Sequence, residues 1–177
     1  RQEAYHIRTD RLSGQRTLHG FIEPHCTIAY WKGKRVHVQS THQSVHYLQH
    51  HIARIFDMKE GDVRVTLPYV GGGFGGKVDI SGTDVAAVAL SKITGQPVKV
   101  FFDLEEVWLN GRGRHGMDMK YTTGVTKEGK IVFVEAEVIL DGGAYSGLGV
   151  ATSYYTGSLL NVLYDFDNYK FDAYRYV

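Results

Sequence analysis

The densest chemical signal in the 177-residue chain is Pro68-Tyr69-Val70-Gly71-Gly72-Gly73-Phe74-Gly75-Gly76-Lys77. Five glycines around one phenylalanine leave a main chain with almost no Cβ shielding. Such a chain can take positive φ and present its N–H groups directly to a ligand. The alternative is a merely tight or flexible turn. Gly71, Gly73 and Gly76 formally satisfy G-x-G-x-x-G, but a dinucleotide site needs its helix to open at the glycines. Here the helix signal begins only after Ser81-Gly82-Thr83. A nucleotide P-loop fails too, because Val78 follows Gly76-Lys77 where a Ser or Thr must reach magnesium. The loop suits an anionic or metal-bound ligand by neither common motif.

Other residues could carry chemistry. His42, His46 and His50 are spaced i, i+4, i+8 and could line a metal stripe, but no cysteine or carboxylate completes the shell. They read as a solvated or packing face. His19 and His25 flank Glu23-Pro24, and His115 lies in Gly111-Arg112-Gly113-Arg114-His115-Gly116; loop hydrogen bonding accounts for them. Cys26 next to His25 suggests a nucleophile and base, but adjacent residues of an extended segment point to opposite faces. Cys26 therefore reads as a buried structural thiol. Asp141-Gly142-Gly143-Ala144-Tyr145-Ser146-Gly147-Leu148-Gly149 is a second glycine-rich turn, able to line a ligand or simply to end a strand.

These residues need positioning elements. Ala4 to Ser40 reads as extended, with Thr27–Trp31 and Arg35–Gln39 forming a hairpin across Lys32-Gly33-Lys34. Gln43 to Phe56 predicts a helix capped by Ser40 or Thr41, with Val45, Leu48, Ile52 and Ile55 on its apolar face. Val63–Leu67 alternates as a short strand. A second helix starts near Thr83 or Asp84, carries Val85, Val88, Ala89 and Ile93, has Ala86, Ala87 and Ala89 to allow close approach to a sheet, and stops at Gly95 before Pro97. Val98–Phe102 reads as a buried strand. Met117–Thr126 and Lys130–Leu140 form a long hairpin, with Val132, Val134, Ala136, Val138 and Leu140 on one face and Glu135 and Glu137 on the other. The residues from Tyr169 read as a last strand. Strands, hairpins and two main helices without strict alternation predict an α+β class.

Composition excludes several functions. Twenty Lys+Arg against 19 Asp+Glu give a net charge of +1, without the basic excess of a nucleic-acid binder. No apolar run approaches the ~18–20 residues of a membrane span. A single cysteine rules out a disulfide or a multi-cysteine metal site within the chain, and a cytoplasmic location is the expectation. An N-terminal Arg and a final segment that stops inside a strand lead us to expect a piece of a longer polypeptide.

Ile22–Ala29, Gly71–Lys77, Gly111–His115 and the hairpin downstream, in that order and spacing, resemble the molybdenum hydroxylase family of xanthine dehydrogenases, aldehyde oxidases and 4-hydroxybenzoyl-CoA reductase. The likeness covers nearly the whole chain. It implies that residues 1–177 are the first part of the molybdopterin-binding domain of a large catalytic subunit, truncated at both ends. The stretch from Ala136-Glu137-Val138 through Gly142-Gly143-Ala144-Tyr145 to Leu163-Tyr164-Asp165 looks most like the 4-hydroxybenzoyl-CoA reductase subunit, which implies an aromatic or CoA-thioester substrate. Xanthine or aldehyde dehydrogenase is the alternative within the family, and a non-catalytic or dinucleotide-binding module the alternative outside it. Xanthine dehydrogenases place a purine-contacting Glu two residues after Gly76, where this chain has Val78. The resemblance implies that Gly72, Gly73, Phe74, Gly75 and Gly76 approach a molybdenum–molybdopterin cofactor. It further implies partners: the remainder of the large subunit, an iron–sulfur subunit, an FAD subunit and a small-molecule substrate. The family's catalytic Glu lies beyond Val177, so no catalytic residue and no metal ligand is assigned here, and the isolated piece is expected to be inactive.

Overall fold

The computed structural model describes residues 3–144 and 147–176. The chain forms two compact units, one of Leu18–Gly113 and one of Arg1–Thr17 with Arg114–Val177.

In the Leu18–Gly113 unit, strands β2 (Cys26–Lys32), β3 (Arg35–Ser40), β4 (Val63–Thr66) and β5 (Val98–Phe101) form a sheet of order β4-β3-β2-β5, in which only the β3–β4 pair is parallel. The hairpin expected across Gly33 is present, pairing Ala29 with Val38 and Thr27 with Ser40. One face of this sheet is covered by helices α1 (Val45–Ile55) and α2 (Gly82–Thr94). Ala29, Val36, Val38 and Val63 from the strands meet Leu48, Ile52 and Ala53 from α1 and Ala87 and Val88 from α2. The opposite face carries partly exposed Ile28, Tyr30 and His37, so period-two alternation separates core from solvent.

Both helices start differently from the sequence expectation. Ser44, not Ser40 or Thr41, is the N-cap of α1, because those two residues are committed to the end of β3 and to the Cys26 main chain. Ile55 is exposed and Ala53 is buried in its place. Helix α2 is capped by Ser81 and ends at Gly95 in the left-handed conformation. Its inner face is Thr83, Asp84, Ala87, Val88 and Ser91, leaving Ile93 exposed. The face is rotated because a buried carboxylate anchors it. Asp84 Oδ1 accepts from Thr27 Oγ1 and Ser40 Oγ, each at 2.7 Å, and Oδ2 accepts from the Ser81 amide at 2.9 Å and Ser81 Oγ at 3.0 Å. Strand β5 lies at the sheet edge and is half-buried, with Phe101 exposed, contrary to the buried strand expected.

Helix α3 (Leu104–Asn110) was not expected. Its start is written as Asp103-Leu104-Glu105-Glu106, a reciprocal capping box in which Asp103 Oδ1 accepts the Glu106 amide at 2.8 Å and Glu106 Oε2 accepts the Asp103 amide at 2.9 Å.

In the other unit, β1 (His6–Gly14), β6 (Met117–Val125), β7 (Ile131–Asp141) and β8 (Asn168–Tyr176) lie in the order β1-β6-β7-β8. The expected long hairpin is β6–β7, and its central strand buries Val132, Val134, Ala136, Val138 and Leu140. Helices α4 (Gly149–Ser158) and α5 (Leu160–Leu163) cross over, so β8 joins β7 in parallel. The sequence reading missed both, since Gly149-Val150-Ala151-Thr152-Ser153-Tyr154-Tyr155 has no clear apolar stripe. The second glycine-rich turn includes residues 145 and 146, which lie outside the described residues. No helix of the described residues is long and apolar enough to cross a membrane.

Replacing Asp84 by Ala strands the Thr27, Ser40 and Ser81 donors in a dry environment, and should cost about 3–5 kcal/mol of unfolding free energy. Asp84→Asn, which keeps one acceptor oxygen, should cost less. Guanidinium unfolding of the intact protein measures both.

Candidate functional site: the glycine loop

The loop runs from β4 toward α2, and Glu23 and Gln43 pin it. Glu23 Oε2 accepts both the Gly71 amide at 2.7 Å and Lys77 Nζ at 2.8 Å, so one carboxylate oxygen closes the loop from its first residue to its last. Lys77 is wholly buried, and its ammonium also lies 4.8 Å from the centre of the Phe21 ring. Within the loop, Gln43 Oε1 accepts the amides of Gly75 at 3.0 Å and Lys77 at 3.1 Å, and the Gly76 amide bonds to Gly73 O at 2.7 Å. Phe74 is held at φ +52° between Gly72 at +95° and Gly75 at +92°. A left-handed phenylalanine is uncommon and needs enforcement by its surroundings.

This bonding divides the candidate residues. The Gly75 and Gly76 amides are spent inside the loop. Those of Gly72, Gly73 and Phe74 have no partner among the described residues, and Phe74 is two-thirds exposed. Only three of the five residues singled out from the sequence therefore offer a free N–H, and they are consecutive. A Cβ at Gly75 would meet only His19 Nε2, at 3.6 Å, whereas one at Gly76 would strike Phe21 Cε1 at 2.7 Å.

The remaining candidates serve the loop or lie apart from it. His19 Nδ1 is 3.1 Å from Arg112 O, as the loop-bonding reading expected. Arg112 pairs with Asp79 just beyond the loop, and Asp79 also accepts from Tyr47 OH at 3.0 Å. An apolar groove of about 280 Å³ beside Gly76 is lined by Leu18, Phe21, Leu104, Val107 and Trp108. The three histidines of the supposed stripe are separated. His42 precedes α1 and is buried, its Nδ1 accepting the Ser44 amide at 2.9 Å; His46 is exposed; His50 Nδ1 lies 2.6 Å from Glu60 Oε1. Cys26 is half-buried, not fully buried, because it opens β2 next to the sheet edge. His25, its neighbour, is the buried one, packed edge-on against Phe21 and Phe102.

Residues 1–177 match the molybdopterin cofactor-binding domain over the full length of the chain. The chain belongs to that family. It is 36% identical over 144 residues to the nicotinate dehydrogenase large molybdopterin subunit of Eubacterium barkeri, covering 80% of this chain and 33% of that one. It is 37% identical over 129 residues to the xanthine dehydrogenase/oxidase of Mus musculus, covering 71% of this chain and 10% of that one. Among solved structures, the aldehyde oxidoreductase of Desulfovibrio gigas superposes with a TM-score of 0.89 at 19% identity, over 98% of this chain and 19% of that one, a likeness of fold. The chain spans a third or less of the length of these relatives. The three unspent amides at a positive-φ turn are main-chain donors of the kind that suits an anionic group. Among the described residues no three His, Cys, Asp or Glu side chains gather to hold a metal.

Buried charge makes the site's support pH-dependent. Burial disfavours charge on Glu23, but the Lys77 hydrogen bond, the Gly71 amide and the Lys77 charge outweigh it and hold the carboxyl below its usual value. Burial, then the Lys77 charge, pushes His25 down against the pull of Asp84, and burial likewise lowers His42. Groups with depressed folded values stabilise above their unfolded values and lose that contribution as pH falls. Unfolding midpoints should therefore decline first below about pH 6.5, from the histidines, and again below about pH 4.3, from Glu23. His25→Phe, which keeps the ring packing, should flatten the upper decline. Glu23→Gln should weaken the fold by about 3–5 kcal/mol at pH 7 by leaving the Lys77 ammonium unpaired. Urea titrations at several pH values test both.

Proposed function

We propose that this chain is the part of a large subunit of a molybdenum hydroxylase-type oxidoreductase that carries the cofactor-facing glycine loop, with Gly72–Gly76 meeting the molybdenum–molybdopterin group. The observation that supports this most directly is the run of three unspent amides at Gly72, Gly73 and Phe74, in a chain of the molybdopterin cofactor-binding family. When bound, that group supplies two-electron redox chemistry at a substrate carbon. The chain's own residues bind and orient. The three amides donate to an anionic edge, and the Glu23–Lys77 pair keeps the loop closed so that those donors need no reorganisation. No residue of this chain is assigned as acid or base. Electrons would leave through iron–sulfur and FAD groups on partner domains or subunits, in a cytoplasmic complex with the rest of the large subunit.

For substrate we propose a small aromatic molecule. The relative at 36% identity is a nicotinate dehydrogenase subunit and that at 37% a xanthine dehydrogenase/oxidase, which supports a heteroaromatic ring over the CoA thioester expected from residues 136–165. Neither relative is named for a CoA thioester. A dinucleotide-binding loop is disfavoured because α2 opens at Gly82, six residues past Gly76, with its N-terminus capped by Ser81 and Asp84.

Metal and pterin analysis of the intact enzyme decides the cofactor: molybdenum with pterin is expected, and active enzyme devoid of both would end the proposal. Gly75→Val places a β-branched side chain at φ +92° and should lower cofactor content and turnover by at least about tenfold. Assays with nicotinate, hypoxanthine, aldehydes and 4-hydroxybenzoyl-CoA rank the substrates, and turnover of the thioester alone would reverse our choice.

A further inference from the structure

The inner part of the glycine loop is held by Gln43. Two N–H groups, from Gly75 at 3.0 Å and Lys77 at 3.1 Å, converge on one atom of its side chain. That atom must be the carbonyl oxygen, since the NH₂ group has no capacity to accept. The Gln43 amide in turn donates to Lys77 O at 2.8 Å, so the residue grips the loop through both its side chain and its main chain. Its side chain also lies on Gly73, where a Cβ would stand 2.5 Å from Oε1 and 2.7 Å from Cδ. Gly73 is not at positive φ. Its lack of a side chain makes room for Gln43 and does not serve the backbone's own conformation.

We infer that Gln43 is a positioning residue for the cofactor-facing turn. By accepting the Gly75 and Lys77 amides it holds Phe74 left-handed, and so keeps the Gly72, Gly73 and Phe74 amides together as a donor set for an anionic group. The Glu23–Lys77 pair ties only the loop's two ends. Among the described residues, Gln43 is the side chain that bonds inside the loop. This role rests on the reading of Gly72–Gly76 as the cofactor contact, and Gln43 itself touches no reacting group.

The test is hydrogen exchange at single-amide resolution in the intact subunit, cofactor-depleted and cofactor-loaded, alongside pterin content. In the depleted form the Gly75 and Lys77 amides should exchange at least about tenfold more slowly than those of Gly72, Gly73 and Phe74. Loading should then slow those three. Gln43→Leu should accelerate Gly75 and Lys77 by about tenfold and lower cofactor content by a similar factor. Gln43→Glu, which keeps an acceptor in the same place, should restore both. Gly73→Ala should reproduce Gln43→Leu by displacing the side chain, and the double variant should be no worse than either single one. Unchanged protection and content in Gln43→Leu, with content lowered by Gly75→Val, would overturn the role of Gln43 and leave the loop reading intact. Failure of loading to slow Gly72–Phe74, with Gly75 and Lys77 still protected through Gln43, would instead overturn the loop reading. Should Gln43→Leu not fold, the wild-type pattern decides: equal exchange at Gly72 and Gly75 in the depleted form refutes the clamp.

Discussion

A buried ammonium must be paired, and in this protein that requirement organises the site. Lys77 has no exposed surface, and its partner Glu23 reaches it from a segment 54 residues earlier. The same Glu23 oxygen takes the Gly71 amide, so a single charge interaction sets the two ends of a seven-residue loop at a fixed separation. Removing a partner from such a pair costs far more than the pair contributes net, which makes the closure close to all-or-none. The glycines between can then adopt conformations that an unanchored loop would only sample.

The surrounding fold supplies rigidity at the points where the loop's anchors originate. Glu23 and Phe21 lie just ahead of β2, and Gln43 lies between β3 and α1. The pairing of β2 with β3, with Thr27 opposite Ser40, brings those two starting points side by side. Asp84 bonds both of these residues and caps α2, so the strand ends, the helix start and the loop's exit share one polar knot. Buried polar networks of this kind specify an arrangement when every member is satisfied. The helix face turned inward by Asp84 illustrates the consequence. Apolar periodicity alone would choose Val85 and Ile93, but a satisfied carboxylate overrides it.

Legibility varied with how local the signal was. The hairpin across Gly33, the stop of α2 at Gly95 and the β6–β7 hairpin rest on neighbouring residues and were readable. Helix α3 was equally readable, from the Asp103 and Glu106 capping box, but a weak apolar pattern hid it. Helix α4 lacked any such mark. The cap of α1 shifted to Ser44 because Thr41 serves a tertiary bond to Cys26, which spacing along the chain does not encode. Likewise, His42 reads as part of a helical stripe only until the helix is seen to begin after it.

The amino-acid sequence by itself determined that Gly71–Gly76 would be an unshielded main chain, since side-chain absence is a property of residue type. It also determined α+β organisation, through its periodicities. Which amides remain available was decided only by tertiary structure. Glu23, Gln43 and the Gly73 carbonyl consume the amides of Gly71, Gly75, Gly76 and Lys77, leaving those of Gly72, Gly73 and Phe74. Hydrogen-bond capacity is finite and is satisfied by whatever lies nearest in space, and nearness in space between residues 23, 43 and 77 is a product of the folded sheet.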